Sequence, residues 1–350
     1  MKKNKNLLFL IILGGIILCQ GTWAETVKAN NSIMEALPPH LASRVEQRNA
    51  NLFPVGLATI SYLTVTRLKL WHPERFPIEV CFFGGSANLR VRIMNAALKW
   101  TKYEAKIPLD FGNDPENPRI CSNVASDIKI GYFYGGYWSM IGQDSRDLVN
   151  ANEQSMNFSH WDVISTPSEP EFTQIVLHEF GHALGFEHEH QNPWSKCEKE
   201  FNWAEIYKEL RKFPNFWDKS RVDENMRKLH HGSLEATTFD PKSIMLYTFG
   251  EKFYHKGGNS ICYSPPNLKL SKKDISFASK MYPKNIKIAI NARNKAISLY
   301  TMALGSNVQG FARVRAMEEV GVLTVPALTE NIRRPLIHRL QTPMTFEGKK

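Results

Sequence analysis

His178-Glu179-Phe180-Gly181-His182-Ala183-Leu184-Gly185-Phe186-Glu187-His188 is the stretch on which the reading of this chain turns. Two histidines four apart on a helix stand on one face, one turn above the other, so both imidazoles reach a single ion. Glu179 sits beside the first and can lean over the same ion without ligating it, which suits a base acting on water held there. Gly185 can take the left-handed conformation that ends a helix and swings the chain back, returning His188 as a third nitrogen ligand. Three histidines leave one corner of a tetrahedral zinc open to water, the layout of a catalytic rather than a structural site. A bare His-x-x-x-His pair is common on solvated helices. The internal glutamate, the glycine and the third histidine together make chance a poor explanation.

The helix that carries this stretch is expected to open at Ser168-Glu169-Pro170-Glu171, with Ser168 as cap and Glu171 closing a reciprocal box. Phe172, Ile175, Val176 and Leu184 would seat it on a sheet. Upstream, Leu68 to Trp71 and Ile78 to Phe83 read as strands, and Gly84-Gly85 ends the second. Asn88 to Tyr103 carries a helical apolar stripe. Phe111, Asp127 to Tyr132 and Ser155 to Phe158 read as further strands, with Gly135 to Ser139 a glycine-marked turn. That order implies a mixed sheet with two helices against it. Downstream, Asn202 caps a helix running to Leu210, and Ser271 to Asp274 opens another that ends before Tyr282-Pro283.

The first six residues hold three lysines, and Leu7 to Leu18 is an apolar run too short to span a bilayer. Thr22-Trp23-Ala24 offers small residues where a signal peptidase reads, so residues 1–24 are expected to be an export signal, the alternative being a lipoprotein signal ending at Cys19. Residues 25–67 are a pro-segment or an N-terminal arm. With Cys19 gone, Cys81, Cys121, Cys197 and Cys262 remain, and an even number in an exported chain suggests two disulfides with three connectivities. Cys81–Cys121 with Cys197–Cys262 is preferred, because each pair then stays within one half of the domain.

The formal charge of +10 is uneven: from Lys284 onward eleven Lys/Arg face four Asp/Glu, and the middle of the chain is near neutral. A basic tail could touch an anionic surface, or simply solvate the protein, and it says little about the site. Nothing points to a specific nucleic acid. His190 is read as a loop residue facing solvent. His160, His230, His231 and His255 lack ligand spacing.

Ser243-Ile244-Met245-Leu246-Tyr247 supplies a methionine turn downstream of the three histidines. With it, residues 68–283 resemble the catalytic domain of the metzincin zinc peptidases, of the astacin type. Microbial astacin-like peptidases share Trp138-Ser139 before an Ile-Gly, the run His188 to Pro193, and Leu-Ser-x-x-Asp before a closing Tyr-Pro. The resemblance implies an α+β zincin-like fold: a mixed twisted sheet with the zinc helix and a mostly helical C-terminal subdomain. Residues 284–350 lie outside it; their short apolar runs, such as Ile286 to Ile290, read as strands of a small β-rich appendage without an assigned role. It implies one zinc on His178, His182 and His188, with Glu179 as catalytic base. Met245 would be a floor beneath the ligands and Tyr247 a donor to the tetrahedral intermediate, while Glu189 could tie the site to the mature N-terminus. Substrate would add to the edge strand before the zinc helix, within Met156 to Trp161. Leu246 stands where the family has histidine, and the arginine-rich stretch of animal astacins is missing. The Phe-x-Gly-Asp latency motif is not matched at Phe53 to Leu57, which lacks the aspartate.

The expected function is therefore a secreted or periplasmic monomeric zinc endopeptidase acting on protein or peptide substrates. The alternatives are a zinc hydrolase of a non-peptide bond and an inactive surface-binding protein, though the intact ligand set and base speak against the latter.

Overall fold

The structure, a computed structural model, describes residues 35–52, 69–71, 75–102, 107–122, 126–212, 215–229 and 237–282. The export signal, the Phe53 to Leu57 stretch, Leu68, His230, His231 and the tail from Lys284 fall outside these residues. Strands β1 (Ile78–Phe82), β2 (Leu109–Asp110), β3 (Ile128–Gly131), β4 (Tyr137–Ser139) and β5 (Met156–Phe158) form one sheet in the order β2-β1-β3-β5-β4. All neighbours are parallel except β4, which runs antiparallel to β5. The fold is thus α+β with a mixed sheet, as the element order implied.

One expectation fails here. Substrate was expected to pair with a strand within Met156 to Trp161, but β5 is paired on both sides, Ile130 with Met156 and Trp138 with Asn157. The edge strand on this side of the sheet is β4, with β2 at the other edge. The cause lies in Asn157, fully buried, whose Nδ2 donates to the carbonyls of Tyr134 (2.8 Å) and Gly136 (2.6 Å). Those bonds pin the glycine loop over the end of β5 and set β4 outside it. A three-residue strand such as Met156-Asn157-Phe158 carries no signal of this kind, because an inner strand and an edge strand look alike at that length.

Helix α1 (Pro39–Leu52) precedes the sheet, α2 (Ala87–Ala97) follows β1, and α3 (Glu171–Ala183) carries the histidines. Ser86 caps α2 by accepting from the Leu89 N–H, and the helix tightens into a 3₁₀ turn over Leu98–Thr101. Its Trp100 indole donates to the Leu177 carbonyl at 2.9 Å, tying α2 to α3. Phe172, Val176, Leu177, Phe180 and Ala183 are buried against Ile78, Val80, Phe82, Ile128 and Ile130 of the sheet. Each such aromatic or branched side chain contributes roughly 1.5–3 kcal/mol by burial. The histidine face of α3 is thereby fixed from behind.

The expected capping box at Ser168 does not form. Pro170 is the N-cap residue, and Ser168 lies two residues too early for its side chain to cap, so only its carbonyl takes the Phe172 N–H. Glu169 accepts from the Thr173 N–H instead. Residues 69–71 are likewise no strand. They form a strap: Gln143 takes the carbonyls of Lys69 and Leu70, and the Trp71 indole donates to the Ala183 carbonyl at 2.7 Å. Leu70 and Trp71 are apolar because they bury beside the end of α3, not because they alternate in a sheet.

Beyond the histidines the chain is mostly helical, with α4 (Trp203–Leu210), α5 (Lys219–Met226) and α6 (Lys272–Met281). Asn202 caps α4, and Ser271 with Asp274 forms a full capping box on α6. Phe201, Ile206, Leu210, Val222 and Phe249 build a second core around Cys197 and Cys262. Both preferred disulfides are present, Cys81–Cys121 and Cys197–Cys262. Among the described residues no helix is long and apolar enough to cross a membrane.

Candidate active site

Helix α3 stops at Ala183, and Gly185 just beyond it, with a φ of +95°, makes the left-handed turn expected there, so the chain returns to place His188 beside the other two imidazoles. His182 Nε2 lies 3.2 Å from His178 Nε2 and 3.1 Å from His188 Nε2. Each ring is oriented through its other nitrogen. Nδ1 of His178 meets the Ile244 carbonyl at 2.8 Å, Nδ1 of His182 the Phe186 carbonyl at 2.7 Å, and Nδ1 of His188 the Gln191 Oε1 at 3.3 Å. A carbonyl only accepts, so these contacts put the proton on Nδ1 and leave three Nε2 lone pairs converging. Three lone pairs at that distance repel unless they share a cation. For zinc–nitrogen bonds of about 2.0–2.1 Å, tetrahedral geometry sets nitrogens about 3.3 Å apart, so the donor set fits zinc.

The fourth corner is filled from the N-terminal arm, which the sequence did not reveal. Glu35 Oε2 stands 3.4, 3.2 and 3.1 Å from the Nε2 atoms of His178, His182 and His188. The same oxygen accepts from the Tyr247 hydroxyl at 3.0 Å, while Oε1 accepts from the Ser139 N–H of the edge strand at 3.3 Å. The Glu35 N–H in turn donates to the Tyr247 oxygen at 2.7 Å. The three histidines and Glu35 thus make one cluster with metal-binding spacing. The open corner expected for water is closed in this state.

The arm is held further along. Leu37 and Val45 pack with buried Leu41 on Trp138, Met140 and Val149. Arg44 grips Glu153 through two bonds of 2.5 and 3.0 Å and also donates to the Leu148 carbonyl. Arg221 on α5 donates to the Leu37 carbonyl at 2.6 Å. Glu35 lies in an uninformative stretch, Met34-Glu35-Ala36-Leu37-Pro38, and only its contacts single it out.

Glu179 is buried, and its Oε2 has no hydrogen-bond partner among the described residues, as suits a carboxylate reserved for solvent or substrate. Burial first, and then the neighbouring Glu35 charge, raise its carboxyl well above the ordinary range. Tyr247 is partly buried, with its ring 4.4 Å from that of His188, and desolvation with the carboxylates of Glu35 and Glu179 raises its phenol well above the ordinary range. Met245 lies under the ligands as expected. A Cβ at Gly181 would meet the Met245 sulfur at 2.2 Å, which explains a glycine inside the helix. The methionine turn does more than floor the site: its Ile244 carbonyl orients His178 and its Met245 carbonyl takes the Glu189 N–H. Asp274 holds the turn by accepting from the Ser243 hydroxyl (2.6 Å) and the Ile244 N–H (2.9 Å), so one residue caps α6 and braces the site.

Two secondary expectations need correction or detail. His190 does not face solvent: it is fully buried, stacked at 5.2 Å on His188, with Nε2 at 3.0 Å from the Asn225 carbonyl. A core built on Phe201 and Phe249 draws it inward. Glu189 accepts from the Asp240 N–H and Asn192, yet burial outweighs these bonds and pushes its carboxyl up to about 8. His160 and His255 lie away from the cluster.

Comparison with solved structures pairs this arrangement with myroilysin, at TM-score 0.53 and 28% identity over 63% of this chain and 98% of that one. The chain is an astacin-like metzincin. As such it is a zinc-dependent peptidase in the general sense of that family. A second myroilysin structure matches at TM-score 0.42 and 24% identity, over 62% and 91%. High choriolytic enzyme 1, a hatching enzyme zinc-protease from Oryzias latipes (medaka fish), matches at 0.36 and 18%, over 58% and 86%. No family model and no curated protein matches the chain.

Proposed function

We propose that this astacin-like metzincin is an exported endopeptidase, made latent by its own N-terminal arm. One observation carries the catalytic reading: three Nδ1-protonated imidazoles converge at 3.1–3.2 Å beside a buried carboxyl whose Oε2 has no hydrogen-bond partner among the described residues. His178, His182 and His188 would hold the zinc, which supplies a Lewis acid and a water acidified from 15.7 towards about 7. Glu179 would be the residue that accepts a proton from the attacking water and hands it to the departing amine. Tyr247 donates its phenolic hydrogen to the developing oxyanion, a term worth roughly 3 kcal/mol for a well-placed donor. The substrate backbone lies along β4, whose Ser139 N–H already points a hydrogen bond into the cleft. The two disulfides agree with export into an oxidising compartment.

Residues 25–67 act as a pro-segment. While Glu35 sits on the three histidines, substrate is kept out, and its charge adds to the burial that raises the Glu179 carboxyl. Release requires a cut beyond α1 and withdrawal of the arm. Cleavage of a peptide library with and without chelator tests the activity. Glu179→Gln should retain one zinc per chain and lose turnover by about 10²–10⁴-fold. Undiminished proteolysis in that variant would remove Glu179 from its role.

A further inference from the structure

Arg221 has no part in the chemistry above, yet it reaches the cleft. It sits in the first turn of α5, and α5 is fastened to the loop after the third histidine. Gln191 Nε2 donates to the carbonyls of Glu224 and Arg227, and His190 meets the Asn225 carbonyl. The guanidinium is therefore held in register with the histidines. It donates to the Leu37 carbonyl, 2.6 Å away, and its Cζ lies 5.9 Å from the Trp217 ring. Leu37 is two residues past Glu35, the residue seated on the histidines. An extended chain advances about 3.3 Å per residue, so this acceptor stands roughly two residues from the reacting centre.

We propose that Arg221 is a substrate-binding residue that donates to a main-chain carbonyl about two residues from the scissile bond, the Leu37 carbonyl standing in for it while the arm is docked. The inference rests on the peptidase reading and deepens it. A main-chain acceptor is common to every sequence, so the contact rewards chain length on one side of the bond rather than a side-chain type. It favours internal cleavage over trimming. A hydrogen bond from a charged donor is among the stronger ones, and Lys cannot reproduce the planar fork.

The same residue thus has two opposed roles, which gives the test its discrimination. In the matured enzyme, Arg221→Ala should raise KM about tenfold, with kcat nearly unchanged, on peptides extending three residues to both sides. On peptides truncated next to the scissile bond on the Arg221 side, the variant should match wild type. Arg221→Lys should recover part of the loss. In the unprocessed full chain, Arg221→Ala should instead shorten the lag before activity, because the arm loses an anchor. A purely structural role would lower the melting temperature and slow all peptides alike, which would overturn the proposal. So would an unchanged KM on long peptides, or a lost preference for acidic side chains with no dependence on length. Failure of the wild-type enzyme to cut any peptide would instead sink the peptidase reading itself.

Discussion

Helix α3 and the arm from Glu35 to Leu52 meet at the same point, but they are held there in different ways. Helix α3 buries Phe172, Val176, Leu177 and Phe180 in the main core and is tied by the Trp71 and Trp100 indoles. The arm rests on Leu37, Leu41 and Val45, one arginine–glutamate pair, one Arg221 bond and a carboxylate on the histidines. Removing the first would unfold the domain, whereas the second can leave without opening the main core beneath α3, uncovering only the small cluster around Trp138 and Met140. Permanence comes from buried apolar area, and removability from a few polar contacts near solvent. A device that must open once is built from the latter.

Weakening the arm at its centre should have the largest effect. Glu35→Ala in the unprocessed chain should raise peptidase activity by about a hundredfold, since a closed state favoured 99 to 1 is lost. Equal activity before and after the change would mean that the arm does not gate the site. On the helix side, Tyr247→Phe in the matured enzyme should lower kcat by roughly a hundredfold with little change in KM. A loss confined to KM would make the phenol a binding group. Gly181→Ala should act on stability and not on gating. Its methyl collides with the Met245 sulfur, and overpacking of that kind costs about 1–3 kcal/mol, a fall of several degrees by thermal melt.

Arg44→Ala should have the smallest effect, about twofold to fivefold faster release of the arm, because a partly exposed pair contributes only about 0.2–1 kcal/mol. Its pH dependence has a fixed sign. The hydrogen bond from Arg44 holds the Glu153 carboxyl at about 2, below its free value of 4.5. The docking contribution is therefore complete above the free value and fades as pH falls towards about 2. Susceptibility of α1 to pepsin should climb over that window in wild type, and more weakly in Arg44→Ala.

The same contrast explains what was legible. The ligands, the glycine stop at Gly185 and the methionine turn follow from spacing, because helix periodicity fixes which side chains share a face. Strands β1, β3 and β5 and both disulfides followed from apolar runs and cysteine parity, whereas β4 read as a glycine-marked turn and residues 69–71 as a strand. Glu35, Arg221 and Arg44 act across separations of 104 to 212 residues, and no local pattern marks such partners. His190 misled because polarity suggested solvent, whereas an aromatic core and one carbonyl accept it neutral inside. The edge strand was misplaced because Asn157 works through its side chain, not through the sheet ladder.

The central claim is that three imidazoles and, before maturation, one arm carboxylate surround a single zinc. A crystal structure of the unprocessed full chain, with anomalous data at the zinc edge, tests it most directly. The account predicts one peak per chain bounded by Nε2 of His178, His182 and His188 and by Oε2 of Glu35. No peak there, or a peak with Glu35 turned away into solvent, would contradict it.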